Sequence, residues 1–341
     1  MKFRRWRSLV VPLILILCGV SGIALIHDSV RPDPGPLPGW QVIRPPREVS
    51  ALTVQDEIVW VGGQEGVFAI DRTSGKLLRK LQGDTPFEYV KALLVDNDNV
   101  LWIGHKNGLT RYDGKRFVTY TKGAEIPDNR VNCLLQDKKG QLWVGTWGGA
   151  AVYNGQDWRF IKKSDGLADD MVNVIMEDRR GGMWFGSYVA PHGGLSYYDD
   201  HQWRVFDKNN GLPHNNICYL LEDAKGMIWA GTGFLDQGGA VCFDNKTEKP
   251  CITSVLQRKD GLAGAKVRSI FQDRSGVYWF GSEYDGIARW DGHSWRIFTK
   301  NDGMSGNEVK DWLEDDMGGL WMATESGVTR INSTAVKNMI K

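Results

Sequence analysis

The chain has 341 residues, with 42 Lys and Arg against 41 Asp and Glu, 15 Trp, 41 Gly and 12 Pro. That length suits one large domain or two ordinary ones, and the composition excludes a disordered chain, a collagen and a multi-pass membrane protein. A net charge of +1, with no basic block in the body, removes the electrostatic basis for a nucleic-acid partner.

The positive charge is concentrated at the start, where Lys2, Arg4, Arg5 and Arg7 occur without an acid, so the remainder carries a net charge of −3. From Leu9 to Ile26 no side chain is charged, a run long enough to cross a bilayer. By the positive-inside rule the sequence predicts a basic cytoplasmic stub over 1–8 and a transmembrane signal anchor over 9–26. The chain would then sit in a bacterial inner membrane as a single-pass protein, its body in the periplasm or otherwise outside the cytoplasm. A cleaved secretory signal is the alternative, with Ser21, Gly22 and Ala24 as the small residues near a cut. Residues 27–38 hold four prolines and no periodicity, as an extended linker does.

From residue 39 onward the pattern apolar-Trp-apolar-Gly recurs. Trp60, Trp102, Trp143, Trp184, Trp229, Trp279 and Trp321 are spaced by 42, 41, 41, 45, 50 and 42 residues. Most copies carry an acidic turn before the Trp, as in QDKKGQLWVG and EDRRGGMWFG, and each reads as four short strands. Asp-Gly or Asn-Gly at Asp113-Gly114, Asn154-Gly155 and Asp291-Gly292 supplies the hairpin turn between the third and fourth strands. Four strands in about 42 residues make a propeller blade. The seventh copy stops after its third strand, whereas Gly39-Trp40-Gln41-Val42-Ile43 matches the fourth-strand pattern and precedes the first copy. The expected fold is all-β: a seven-bladed β-propeller over 39–335, closed by the N-terminal strand and followed by a tail at 336–341.

These copies resemble the two-component regulator propeller repeat, whose form is roughly N-x-V-x-x-I-x-x-D-x-x-G-x-L-W-I-G-T-x-x-G-L-x-R-Y-D-G. Residues 131–153 and 309–330 carry the likeness well, and it spans about 39–335. The resemblance implies an extracytoplasmic sensor propeller, which in many members precedes a membrane segment and a histidine kinase. The sequence here has no recognisable kinase, receiver or DNA-binding tail, so a signalling output would need a separate transmembrane signalling or envelope protein. A stand-alone binding or scaffolding module agrees with the resemblance equally well.

In a propeller the loops from the fourth strand to the next blade, and from the second strand to the third, gather around one mouth of the channel. Aligning the copies on the Trp places Ser50, Lys91, Asn132, Asn173, Cys218, Arg268 and Lys310 at one position early in the innermost strand. Two residues earlier come Glu48, Tyr89, Arg130, Met171, Asn216, Lys266 and Glu308. Lys91, Arg130, Lys266, Arg268 and Lys310 give this mouth five cations on an acidic body, suited to an anionic or polyhydroxylated ligand. Trp147, Tyr188 and Tyr284 on the second-to-third loops, which are expected to be longest in blades 4 and 5, add flat faces suited to a sugar ring. The bland alternative is that these polar groups solvate a water-filled channel and pair with acids.

No phosphate-loop, HExxH or GxSxG pattern occurs, no cofactor or metal is expected, and Asp96-Asn97-Asp98-Asn99 reads as a hairpin turn rather than a calcium loop. His105, His192 and His214 are close enough in the loop scheme to approach one another, and His192 or His214 with Glu283 would make an acid/base pair, although no motif places them together. Cys133 and Cys218 read as buried thiols of different inner strands. Cys242 and Cys251 flank residues 243–250, and in an oxidising compartment they are expected to form a disulfide across that hairpin. The function expected is sensing of a small molecule, oligosaccharide or partner through the loop face. The alternatives are a non-catalytic envelope scaffold and, third, a propeller hydrolase or lyase.

Overall fold

The computed structural model describes residues 36–83, 86–188, 192–246 and 249–339. The stub over 1–8 and the anchor over 9–26 lie outside them, and among the described residues no helix is long and apolar enough to cross a membrane. Seven four-stranded antiparallel sheets follow one another along the chain, and six of them are built from consecutive strands. The seventh is closed as the sequence predicts. Trp40–Ile43 pairs with Gly327–Ile331, with Trp40 opposite Ile331 and Ile43 opposite Val328, so the first strand of the propeller completes the last blade. A sheet edge at each end of the chain is thereby paired.

The repeated turn explains both strand spacing and tryptophan placement. In blade 6, Asp273 accepts the backbone N–H of Ser275 at 3.0 Å and of Val277 at 3.1 Å through one oxygen. Its other oxygen accepts the Trp279 indole N–H at 2.9 Å. Gly276 takes φ +85, which a side-chain-bearing residue adopts reluctantly. The same Asp–Trp bond recurs in Asp96–Trp102, Asp137–Trp143, Asp178–Trp184, Asp223–Trp229 and Asp315–Trp321. In blade 1, Gln55 serves Trp60 instead. Asp96 closes its hairpin by accepting from Asp98 and Val100, as read from the sequence.

The core is distributed among the blade interfaces, not collected at one centre. Trp229 of blade 5 packs with Val267, Ile270 and Phe280 of blade 6, and Trp279 of blade 6 with Val309, Trp312 and Met322 of blade 7. Trp321 of blade 7 meets Leu52, Val59 and Val61 of blade 1. In blades 3 to 7 the residue before the turn Asp adds a polar link back to the preceding blade. Glu177, Glu222 and Glu314 accept the backbone N–H of Lys138, Arg179 and Arg274 respectively, and Gln136 and Gln272 do the same for Asn97 and Ala224.

Three details differ from the sequence reading. Ser333–Asn338 forms a short helix, its N-terminus capped by the Asn332 side chain, and Ala335 and Val336 pack in the cluster that holds Trp40. The apolar spacing there is too brief to announce a helix. Blade 5 has no long second-to-third loop, because Met227–Phe234 and Gln237–Asp244 extend to eight residues each around a tight turn at Leu235, φ +52. The expected Cys242–Cys251 disulfide is absent and both thiols are free. A register shift beside Cys242 sets it opposite Ser254, while Cys251 lies opposite Asp244. The two sulfurs are thus offset along the ladder, one buried and one exposed, where a disulfide needs facing Cβ atoms about 3.8 Å apart.

Candidate functional site

The seven residues aligned early in the inner strands come together. Ser50, Lys91, Asn132, Asn173, Cys218, Arg268 and Lys310 all line one cavity of about 320 Å³ at the channel, with Tyr219 and Asp311 below them. In five blades a β-bulge does this. The ladder skips Asn132, Asn173, Cys218, Arg268 and Lys310, and a bulge re-aims the extra side chain. Ser50 and Lys91 sit just ahead of their strands, held by Ser50 N–H to Gly62 at 2.8 Å and Lys91 N–H to Gly104 at 2.9 Å. The sequence carried the offset, a polar residue repeated in an apolar strand, but not the bulge that turns it inward.

The ring is divided by charge. Arg268 Nε donates to Glu308 at 2.9 Å, and Lys310 bonds Glu48 and lies 3.5 Å from Glu308. Ser50 Oγ donates to Glu48 at 2.9 Å, and the Lys91 ammonium reaches Ser50 Oγ at 3.5 Å. Burial works against the Glu48 carboxylate, but the Lys310 hydrogen bond and charge outweigh it and hold its pKa below the usual range. Lys91 has no carboxylate within 4 Å among the described residues. Protein crowds it although its side chain opens to the lumen, and its pKa is lowered by desolvation, then by the charges of Lys310 and Arg268.

The other arc is neutral. Asn132 donates to the Val172 carbonyl at 2.9 Å and accepts from the Trp147 indole at 3.0 Å. Asn173 donates to Ile217 at 3.0 Å and Cys218 at 3.3 Å. Each amide is fixed to the next blade. Burial raises the thiol pKa of Cys218, and that of Cys133 to about 12, so both lumen cysteines are held as thiols.

Not every predicted residue belongs to this cavity. Arg130 is tied to Asp128 and stacks 4.0 Å over exposed Trp147 on the rim. Tyr89 is exposed beneath Lys106. Lys266 is 3% exposed, bonded to Glu283 at 2.6 Å and to Tyr188 OH at 3.1 Å. With exposed Tyr284 it borders a separate cavity of about 800 Å³ near Pro213, Asp236 and Arg258. Asn216 is buried, and its backbone N–H bonds His214 Nδ1. The five expected mouth cations are therefore not one cluster: of Lys91, Arg268 and Lys310 in the ring, two are paired, and Arg130 and Lys266 stand elsewhere with their own acids.

Catalytic groupings do not assemble among the described residues. His105 is fully buried against Thr110, and burial drives its pKa down to about 4. Neither His192 nor His214 is hydrogen-bonded to Glu283, which binds Lys266. No group of three His, Cys, Asp or Glu side chains is placed to hold a metal ion.

The family description "two component regulator propeller" matches residues 125–148, 166–189, 211–234 and 252–284, which fall on blades 3 to 6. Over these four segments the chain matches the two-component regulator propeller repeat. No curated protein matches it. Among solved structures, the extracellular domain of the hybrid two-component system BT3049 from B. thetaiotaomicron superposes with a TM-score of 0.76 at 22% identity, covering 89% of this chain and 42% of that one. The extracellular domain of the one-component system BT4673 from the same organism gives 0.52 at 20% identity, covering 84% and 45%. The repeat-bearing chain thus spans less than half the length of both domains. A catalytically inactive virginiamycin B lyase from Staphylococcus aureus, solved with quinupristin, gives 0.68 at 12% identity, covering 86% and 98%. At these identities the likeness is one of fold.

Proposed function

We propose that this two-component regulator propeller is a membrane-tethered, extracytoplasmic sensory module that recognises an anionic or carbohydrate-like ligand through the channel mouth. The observation that carries the reading is the ring itself: seven equivalent positions, filled with charged, amide, hydroxyl and thiol groups, around a cavity of about 320 Å³. That size lies at the lower end of small-molecule sites. A purely structural channel has no need for Lys91 without an acid beside it. The resemblance to sensor extracellular domains supports the compartment, and the run over 9–26 supports the tether. A separate membrane protein would carry the output.

The test is thermal unfolding of the purified full chain in detergent with small organic acids and with neutral, uronic-acid and sulfated oligosaccharides. A compound at about 100 times its dissociation constant stabilises the native state by roughly 2.7 kcal/mol. A shift reduced in Lys310→Ala supports the reading. No shift with any compound favours the envelope scaffold, which crosslinking in intact membranes would then detect.

A further inference from the structure

Resting on the sensory reading, we infer that the cavity is built for a small hydroxylated monocarboxylate, its carboxylate seated on Lys91 and a hydroxyl group on the Asn173 amide oxygen.

The charge pattern selects one negative group. From blade 6 around to blade 2, Arg268, Glu308, Lys310, Glu48 and Ser50 alternate donor and acceptor in a continuous chain that ends at Lys91. Three cations meet two carboxylates along this chain, Asp311 adds a third negative charge to the cavity wall above about pH 6, and the terminal ammonium is the cation that has no acid within 4 Å among the described residues. Asp311, lower in the wall, accepts from Leu52 N–H, Trp312 N–H and Tyr219 OH, so its oxygens are occupied by the wall and do not compete for Lys91. An anion at Lys91 would offset both its desolvation and its repulsion from Lys310 and Arg268. A dianion would bring a second negative charge into a narrow lumen already lined by Asp311.

The neutral arc sets the rest of the ligand. The Asn173 amide nitrogen is committed to the Ile217 and Cys218 carbonyls, which fixes the side chain and leaves its oxygen as an acceptor in the lumen. Asn132 is held on both sides, by Val172 and by Trp147. Such a surface favours a ligand that brings hydroxyl donors, and pre-ordered partners lower the entropy cost of binding.

Calorimetric titration of the full chain in detergent with gluconate, D-glucose and succinate tests this. Gluconate is expected to bind, with glucose and succinate at least tenfold weaker. Lys91→Met and Lys91→Gln should each weaken gluconate at least tenfold with unfolding temperatures no lower than the parent's in the absence of ligand, Lys91→Arg should restore part of the affinity, and Asn173→Leu should weaken it several-fold. Lys115→Met, on an outer turn, should change nothing. Gluconate binding that survives both Lys91 variants, or equal affinity for glucose, overturns the assignment and leaves the sensory reading standing. So does failure of gluconate when another compound of the oligosaccharide panel shifts the unfolding temperature. If no compound of either set binds, both fall.

Discussion

Asp311 is the residue whose environment departs furthest from what its sequence position suggests. It follows Lys310 in the bulge of the last inner strand, yet it accepts Leu52 N–H from blade 1 at 2.8 Å and Tyr219 OH from blade 5 at 3.3 Å. Burial raises its pKa from 3.8 to about 6 against the opposing effect of these donors. Burial, with the neighbouring Asp311 charge, also raises the Tyr219 pKa. Between pH 3.8 and about 6 the native state therefore binds the proton more tightly than the unfolded chain, and stability falls as pH rises through that window. The penalty is fully present above about 6 and absent below 3.8; at 1.36 kcal/mol per unit it amounts to up to about 3 kcal/mol. Asp311→Asn keeps an acceptor for Leu52 and removes the charge. Urea denaturation at pH 7.5 should show the variant more stable than the parent, with the advantage gone at pH 4. An equal loss of stability at both pH values would show that the ionised carboxylate, not its cost, is what the seam requires.

The element that repeats most faithfully is the hairpin turn joining the first two strands of blades 2 to 7, where one Asp caps the backbone and anchors the indole. Asp273→Ala removes the oxygen that accepts two turn N–H groups and leaves the fully buried Trp279 N–H without a partner. Losing a cap costs about 1 kcal/mol and orphaning a buried donor another 1–3 kcal/mol. A total of about 2–4 kcal/mol in guanidinium denaturation is expected, whereas Asp113→Ala, in an exposed outer turn, should cost less than half as much. This turn was legible because its Asp, Gly and Trp are tied by local bonds at fixed spacing. The inward ring was legible for the same reason: repetition makes seven weak signals coincide at Ser50, Lys91, Asn132, Asn173, Cys218, Arg268 and Lys310. What escaped was non-periodic. The pairing of Lys266 with Glu283 and of Arg130 with Asp128 depends on individual loop paths, and the separation of Cys242 from Cys251 on the hairpin register that sets Cys251 opposite Asp244.

At the scale of the ring, each blade buries its apolar faces only against its neighbours, so stability depends on the circle being closed. Closure rests on four residues. Trp40 is 7% exposed and packs against Phe298 with ring centroids 5.6 Å apart, in the cluster shared by Trp279, Trp312 and the C-terminal Val336. Ile43 joins the opposite cluster with Trp321 and Val59. One short strand therefore contributes to the interfaces on both sides of blade 7. Trp40→Ala should cost about 3–5 kcal/mol, the range for a large buried aromatic, while Val42→Thr, at a position 40% exposed, should be nearly neutral. Removing residues 36–43 should have a different kind of effect, because it bares the edge strand Gly327–Ile331 for pairing with another molecule. Analytical ultracentrifugation should then find dimers or larger species whose guanidinium transition is broadened, since blade 7 can no longer unfold together with blade 1. A monomeric deletion variant with the parent's midpoint and slope would mean that the seam between blades 7 and 1, held by Lys310–Glu48, Arg72–Asp316 and Leu52–Asp311, closes the ring without the strand.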